Sequence, residues 1–192
     1  RTGDFVQAVE VLKAGNVREI DYGRVNGKYF INVAGAGFDA EVTNTATTWG
    51  KKHFSGSMAY IASILKELIA YSPKELHIEA DGRSFTTKAW LVAVANGRYF
   101  GGGLMITPEA DPEDGLFDVC IVGETTKLGF LSPLLKAYSG KHVGHPAVSF
   151  FRAAKIKISS DSKINTEGDG ELTGFLPQEF SIVDGKIKIL LP

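Results

Sequence analysis

Tight-turn dipeptides divide this chain into short segments and limit the folds that it can adopt. Asn26-Gly27, Asp81-Gly82 and Asp184-Gly185 each stand between two segments whose apolar patterns are typical of strands. Asn-Gly and Asp-Gly tolerate the positive φ angles that a tight hairpin turn requires. Short strands separated by turns at such regular spacing favour an antiparallel sandwich over a parallel sheet.

Apolar periodicity predicts the remaining elements. Helical spacing predicts helices over residues 4–12, 57–71 and 128–138, and the glycine-rich stretch Gly35-Ala36-Gly37 is interpreted as a break. A hairpin is predicted over residues 18–33, and strands over 74–80, 84–95, 116–122, 155–159, 163–166, 179–183 and 186–190. We therefore predict a mostly β (α+β) fold, a two-layer antiparallel β-sandwich with two or three helices.

Composition excludes several classes of protein. The chain has 192 residues and a formal net charge of −1 at pH 7, so no strong field favours nucleic acid as a partner. Cys120 is the single cysteine, which rules out an internal disulfide and fits a reducing, cytoplasmic compartment. No apolar run reaches the roughly 18 residues of a membrane span, and no signal-peptide pattern opens the chain. Because the chain begins at Arg1 without Met, we expect it to be part of a longer protein.

The tetrapeptide Gly168-Asp169-Gly170-Glu171 is the strongest candidate for a chemical site. It places two carboxylates two residues apart, separated by glycine, at a predicted turn. A carboxylate beside a substrate hydroxyl can accept its proton while the oxygen attacks a phosphorus atom. Asp-Gly is also a common turn pair, so these residues alone leave a catalytic site and a plain hairpin turn both open.

Two further loops contain candidate ligands. Asp111, Asp114 and Leu116 belong to an acidic loop that could offer carboxylate and backbone oxygens to Mg²⁺ or Ca²⁺; the alternative is a solvated acidic turn before a strand. The run Gly101-Gly102-Gly103 follows Asn96 and allows φ angles that other residues avoid. Three glycines usually stand where another group passes close to the backbone, and a substrate is one candidate for that group.

The order and spacing of these pieces resemble the C-terminal domain of the diacylglycerol kinase-like lipid kinases. That family includes bacterial diacylglycerol kinases and, more distantly, sphingosine and ceramide kinases. The resemblance extends from about residue 4 to residue 192. Its matching segments are residues 30–40, residues 56–60, Asn96 with Gly101-Gly102-Gly103, residues 108–118, Gly140-Lys141-His142 and Gly168-Asp169-Gly170-Glu171.

The resemblance implies the NAD kinase/diacylglycerol kinase-like fold, with the active site in a cleft between two domains. The family's N-terminal domain carries a Gly-Gly-Asp-Gly-Thr nucleotide loop that this sequence does not contain. The resemblance also implies that Glu171 and Asp169 are catalytic, one of them as general base on the lipid hydroxyl. It implies that Asp114 is the side-chain ligand of a structural Mg²⁺, with Asp111 and Leu116 at the flanking ligand positions.

These observations predict that residues 1–192 form the single lipid-substrate domain of an ATP-dependent lipid kinase. ATP, with Mg²⁺, is expected to bind through the N-terminal domain, and Asn96 with Gly101, Gly102 and Gly103 to contact the substrate. The enzyme would bind its lipid at the inner membrane surface. Whether the chain forms a homodimer stays an open question at this point. The alternatives are a non-catalytic lipid- or protein-binding sandwich, and a kinase half that acts on a soluble polyol or NAD-like substrate. Diacylglycerol, phosphatidylglycerol and sphingoid bases are not distinguished.

Overall fold

The computed structural model describes residues 5–55 and 57–190, and the side chains of all of these except Ser57. The helices are α1 (Phe5–Ala14), α2 (Phe38–Thr45), α3 (Lys51–His53), α4 (Ser57–Ala70) and α5 (Lys127–Ala137), with a π-helical turn over Ala46–Gly50. Four of these described helices have eight or more residues, whereas two or three helices were predicted. None of the helices in the described ranges is long and apolar enough to cross a membrane.

Fifteen strands are described within the same ranges. They are β1 (Val17–Ile20), β2 (Gly23–Val25), β3 (Lys28–Phe30), β4 (Val33–Gly37), β5 (Lys74–Ala80), β6 (Arg83–Ala95), β7 (Tyr99–Phe100), β8 (Leu104–Met105), β9 (Phe117–Gly123), β10 (Val148–Ala153), β11 (Lys155–Ser159), β12 (Asn165–Gly168), β13 (Glu171–Phe175), β14 (Gln178–Ile182) and β15 (Ile187–Leu190). Their pairings are antiparallel, as predicted.

The long strand β6 belongs to two sheet layers. Its first half pairs with β5, and its second half lies between β4 and β9. One layer therefore runs β13-β12-β4-β6-β9-β10, and the other runs β6-β5-β11-β14-β2-β3. The register of β6 with β9 shifts between Ala89 and Leu91, where the strand passes from one layer to the other. The predicted mostly-β sandwich is thus confirmed.

Apolar side chains from both layers fill the space between them. Val94 and Phe117 from one layer and Ile78, Ile158 and Phe180 from the other lie in one buried cluster. The rings of Phe30 and Phe117 stack with centroids 5.4 Å apart. Burial of so many apolar groups at roughly 25 cal/mol per Å² is the main force that holds the two layers together.

Helices cover the outer face of the β4-β6-β9 layer. Phe38 from α2, Tyr71 after α4 and Phe130 from α5 pack on Trp90 of β6, and the Trp90 and Phe130 rings stack at 4.4 Å. The indole N–H of Trp90 donates to the Thr125 carbonyl at 3.1 Å, so its polar atom is satisfied. This second core fixes α2 and α4 against β4, and the main cavity opens beside them.

The glycine-rich break predicted at Gly35-Ala36-Gly37 is wrong, because these residues form the buried strand β4. A Cβ on Gly35 would lie 2.5 Å from Asp39 Oδ2 and 2.7 Å from the Val92 carbonyl oxygen. Gly37 has φ of 113° and turns the chain from β4 into α2. The glycines are therefore required by close packing and by one sharp turn within a central strand.

Candidate functional site

A large cavity lies between α2, the β12–β13 hairpin and the glycine turn that joins β7 to β8. Its volume is about 660 Å³. Three apolar side chains contribute to its wall: Val33, Ala46 and Phe100. Its polar and glycine lining comprises Asn32, Asp39, Thr43, Thr47, Lys51, Tyr60, Gly101, Gly102, Glu167, Asp169 and Gly170.

Asp39 reaches this cavity from the first turn of α2. Its side chain is only 9% exposed, and neither of its carboxylate oxygens has a hydrogen-bond partner among the described residues. Burial raises the pKa of Asp39, while the backbone N–H groups of Ala40 and of Asp39 itself act in the opposite direction. The absent Cβ of Gly35 leaves the room that this carboxylate occupies.

Glu167, on β12, is the second buried acid of the cavity. It is 3% exposed, and its Oε2 accepts a hydrogen bond from the Gly170 N–H at 2.8 Å. Its Oε1 has no partner within the described residues. Burial raises the pKa of Glu167, and the nearby charge of Asp39 raises it further. Burial and mutual repulsion thus raise the pKa of both acids, which favours protonation of the pair over two buried charges.

Tyr60 and Lys51 complete the ionisable lining. Burial, together with the charges of Asp39 and Glu167, raises the pKa of Tyr60 to about 12, so its phenol stays protonated. A Cβ on Gly101 would stand 3.4 Å from the Tyr60 hydroxyl, so the glycine turn closes tightly over that side chain. Lys51 is exposed and lies at the solvent side of the cavity.

Asp169 lines the same cavity, but its carboxylate is already held by the backbone. Its Oδ2 accepts from the Ile31 N–H at 2.6 Å, and its Oδ1 accepts from the N–H groups of Asn32 and Val33, each at 3.0 Å. The residue has φ of 49°, and its own N–H donates to the Val33 carbonyl at 2.8 Å. Asp169 therefore ties the β12–β13 hairpin to the segment that leads from β3 into β4.

Glu171, the other carboxylate of the motif, differs from Asp169 in its contacts. It is the first residue of β13 and is exposed like Asp169, but its side chain makes no hydrogen bond or ion pair within the described residues. It lies beside Asp169 and Gly170 on the hairpin but is not part of the cavity wall. The structure thus gives the motif one anchored carboxylate and one free carboxylate.

The four predicted substrate contacts fall in different places. Gly101 and Gly102 line the cavity, and Gly103 completes their turn with φ of 111°. Asn96 is buried away from the cavity wall, and its Nδ2 donates to the carbonyls of Asp21 and Ile31, each at 2.8 Å. Asn96 therefore holds two loops together.

The three predicted metal ligands lie at another edge of the molecule, beside β10. Asp114 Oδ2 forms an ion pair with Arg152, and Asp114 Oδ1 accepts from the Leu116 N–H at 3.0 Å. Asp111 Oδ1 accepts from the Glu113 N–H at 3.1 Å. No group of three or more His, Cys, Asp or Glu residues suited to a metal occurs in residues 5–55 and 57–190. In this arrangement the Arg152 guanidinium pairs with Asp114, so a cation would have to compete with it for that carboxylate.

Asp39 and Glu167 are the site residues that the sequence did not reveal. Asp39 lies in a segment that carried the family resemblance, but a single acid after a glycine run has no chemical signature of its own. Glu167 directly precedes the Gly168–Glu171 motif, and only the burial of its side chain distinguishes it from an ordinary strand residue. Their importance comes from burial and from the approach of α2 to β12, which are long-range properties of the fold.

Comparison with known proteins places this geometry in a family. Residues 32–191 match the family described as the YegS C-terminal NAD kinase beta sandwich-like domain. The chain belongs to this family. It is 31% identical over 189 residues to a diacylglycerol kinase of Bacillus subtilis (strain 168), covering 98% of this chain and 62% of that protein. A diacylglycerol kinase of Staphylococcus carnosus (strain TM300) is also 31% identical, over 191 residues, with 98% and 61% covered.

The solved structures agree on the fold. A crystal structure from Bacillus anthracis strain Sterne, assigned as a diacylglycerol kinase, superposes with a TM-score of 0.75 at 23% identity. It covers 98% of this chain and 61% of that one. The chain therefore spans about three fifths of the length of the curated relatives that it matches.

Proposed function

We propose that this chain is the lipid-substrate domain of a two-domain kinase that transfers the γ-phosphate of ATP, supplied with Mg²⁺, to a lipid hydroxyl. The observation that carries the proposal is the 660 Å³ cavity bordered by the Gly168–Glu171 hairpin. The motif expected to accept a proton thus adjoins a space that can hold a substrate. Family membership and relatives named diacylglycerol kinase support the same reaction class.

The cavity wall suits a lipid better than a polyol. Val33, Ala46 and Phe100 provide apolar surface on which an acyl chain can rest, and the acidic end provides acceptors for a hydroxyl. A nucleotide or polyphosphate would meet Asp39, Glu167 and Asp169 there. These observations support a lipid over the soluble NAD-like or polyol substrates that the sequence left open.

In the proposed reaction Glu171 is the general base. It accepts the proton of the lipid hydroxyl as that oxygen bonds to the γ-phosphorus, the bond from the γ-phosphorus to the bridging oxygen breaks, and ADP leaves. Asp169 positions the hairpin through its three backbone N–H contacts. The structural Mg²⁺ at Asp111, Asp114 and Leu116 stays a prediction, and no step of the reaction passes through it.

The remaining parts of the enzyme lie outside this chain in the proposal. ATP binds the N-terminal domain, because kinases need a cradle for the phosphates and this sequence does not contain the family's Gly-Gly-Asp-Gly-Thr nucleotide loop. The lipid is met at the cytoplasmic face of a membrane, to which the enzyme binds peripherally. A homodimer stays a prediction.

The test is phosphate transfer from γ-labelled ATP to diacylglycerol in mixed micelles, using the two-domain parent protein. Glu171→Gln should lower kcat by about 10²–10⁴-fold, the usual loss for a general base. Asp161→Asn, an exposed carboxylate in a loop outside the cavity, is the matched control and should keep the wild-type rate. Wild-type turnover in Glu171→Gln would remove the base assignment, and no lipid phosphorylation by the parent would overturn the proposed function.

A further inference from the structure

Three buried carboxylate oxygens at the acidic end of the cavity have no hydrogen-bond partner in the described structure. They are both oxygens of Asp39 and Oε1 of Glu167. Buried polar atoms are satisfied in the great majority of native structures, and an unsatisfied one is costly, most of all when it is charged. Both side chains are at least nine-tenths buried, and both line the same cavity. These oxygens therefore lack a partner that a ligand in the cavity could supply.

The pairing of β4 with β12 places the two carboxylates side by side. Gly35 of β4 lies opposite Glu167 of β12. Opposite residues of an antiparallel pair project from the same face of the sheet, with Cβ atoms about 4.5–5.5 Å apart. Gly35 has no side chain, and a Cβ there would lie 2.5 Å from Asp39 Oδ2. The Asp39 carboxylate thus occupies the place of the missing side chain, next to the side chain of Glu167.

No positive side chain balances this pair. Neither acid forms an ion pair with a Lys or Arg among residues 5–55 and 57–190. Lys51 lines the cavity but is exposed. Burial, and then the charge of Asp39, raise the pKa of Glu167, as is usual for carboxylates that lie closer together than two like charges allow. Purely structural buried acids would be expected to have a cationic partner.

A hard divalent cation has the charge and the ligand preference that this arrangement lacks. Mg²⁺ is usually held by one or two carboxylates and keeps several of its waters, whereas Ca²⁺ takes about six to eight oxygen ligands. The described residues contain no group of three or more His, Cys, Asp or Glu suited to a metal, so water would complete the coordination. Thr43, one turn after Asp39 on α2, also lines the cavity and can hydrogen-bond such a water. Two protein carboxylates beside a cavity that admits water match Mg²⁺ best.

We propose that Asp39 and Glu167 bind one Mg²⁺ ion through their unpartnered oxygens, with water from the cavity as its remaining ligands. Two carboxylates and one divalent cation carry no net charge. The ion displaces any proton that the pair holds, because carboxylate ligands must be deprotonated. The site is separate from the acidic loop of Asp111 and Asp114 beside β10. It goes beyond the proposed function, since it depends only on the geometry of this chain and not on the substrate of the cavity.

The experiment measures Mn²⁺ binding to the 192-residue chain by electron paramagnetic resonance, at about pH 8 and without ATP or lipid. Mn²⁺ prefers the same oxygen ligands as Mg²⁺ and is directly observable. All chains carry Asp114→Asn, so that a cation on the acidic loop does not contribute. One saturable site is expected, from which Mg²⁺ displaces Mn²⁺. Asp39→Asn and Glu167→Gln, added separately, should each weaken binding by about tenfold or more, because affinity follows the number of charged ligands.

Asp161→Asn, an exposed carboxylate outside the cavity, is the matched control and should leave the affinity unchanged. Melting curves in EDTA establish that each variant folds, and if one of the two amides does not fold, the other decides. Added Mg²⁺ should raise the melting temperature of the Asp114→Asn chain, and neither cavity variant should show that rise.

Absence of saturable binding to the Asp114→Asn chain, or unchanged affinity in both cavity variants, would overturn the site and leave Asp39 and Glu167 as a pair that shares protons. Failure of Mg²⁺ to displace Mn²⁺ would overturn the choice of cation. Because neither ATP nor lipid is present, a chain that binds the ion while its two-domain parent phosphorylates no lipid would refute the proposed reaction and leave the site standing.

Discussion

Asp169 shows that a residue of a candidate catalytic motif can have a structural role. Its carboxylate gathers three successive backbone N–H groups, from Ile31, Asn32 and Val33. An acid at the tip of a turn usually contributes little to the fold, but these three contacts make Asp169 part of the structural framework. The hydrogen bonds show why the two carboxylates of the motif should respond differently to the same kind of substitution.

We expect Asp169→Asn to lower the free energy of unfolding by about 1–2 kcal/mol. An amide has one acceptor oxygen where the carboxylate has two, and its NH₂ group would face a backbone donor. The estimate is toward the low end for charge-assisted bonds because Asp169 is exposed. Chemical denaturation of the 192-residue chain measures the change, with Glu171→Gln as the near-isosteric control of unchanged stability. Equal stability of the two variants would contradict the anchoring role.

The raised pKa of Glu167 makes stability depend on pH in a definite direction. The unfolded chain ionises this side chain near its ordinary value of 4.5, whereas burial and Asp39 keep it protonated to higher pH in the folded chain. The free energy of unfolding therefore decreases as the pH rises above that value, until the folded pKa is passed. The raised pKa of Glu167 therefore stabilises the folded chain at low pH, and this stabilisation is lost as the pH rises into the alkaline range.

Glu167→Gln removes this titration while keeping an acceptor for the Gly170 N–H. The melting temperature of the variant, minus that of the wild type, should therefore increase steadily between about pH 5 and pH 9. Calorimetric scans across that range provide the measurement. The exposed Glu171→Gln should give a difference that does not change with pH, and a flat profile for Glu167→Gln as well would show that the buried acid is ionised in the fold.

At the scale of elements, β4 shows why small residues can form a central strand. Gly35→Ala should lower the free energy of unfolding by about 1–3 kcal/mol, since the added methyl overpacks the contact with Asp39 and Val92. Gly123→Ala at the end of β9 is the control, because its Cβ would meet nothing closer than 3.5 Å. Denaturation curves should separate the two variants, and a tolerated Gly35→Ala would mean that Asp39 can move aside.

The acidic loop and β10 offer a test of the predicted metal. Arg152 forms ion pairs with both Asp114 and Asp118, and its guanidinium competes with any cation for Asp114. Mg²⁺ should therefore raise the melting temperature of Arg152→Gln more than that of the wild type, and Asp114→Asn should abolish the difference. Identical responses of the wild type and Arg152→Gln to a Mg²⁺ titration would show that Asp114 is not a metal ligand.

Local signals predicted the elements that depend on local chemistry. The hairpin at Asn26-Gly27 is confirmed, with φ of 47° and 73°, and the helix predicted from residue 57 is α4. The alternation in residues 74–80 matches the burial of β5. The strands β4, β7, β8, β10 and β13 were missed, and so were the helices α2 and α3. The glycines and alanines of β4 have low strand propensity, and their pairing with β6 and β12 is decided by contacts distant in sequence.

At the scale of the whole molecule, only part of the candidate site could be predicted from the sequence. The Asp169–Glu171 motif was visible because its residues are adjacent, and Gly101 and Gly102 because they form a run. Asp39 and Glu167 are 128 positions apart by their residue numbers, and they meet only because β4 pairs with β12. Short-range sequence patterns cannot predict that two residues so far apart in the chain lie close together in the fold.

The chain by itself should not phosphorylate lipid. It covers about three fifths of the length of its curated relatives, and it does not contain the Gly-Gly-Asp-Gly-Thr loop that would hold the phosphates of ATP. The measurement is label transfer from ATP to diacylglycerol by the purified chain, with the two-domain parent as the positive control. Turnover within the range of about 1–100 s⁻¹ that is usual for kinases would contradict the prediction.

Because β6 belongs to both sheet layers, it couples the unfolding of one layer to that of the other. A strand that is hydrogen-bonded in two sheets cannot release one of them without disturbing the other, so neither layer has a stable existence alone. Partial opening is confined to regions that β6 does not reach, such as α1 and the small β1–β15 sheet. The amides of Val92, Ala93 and Val94 should then exchange with solvent only through complete unfolding.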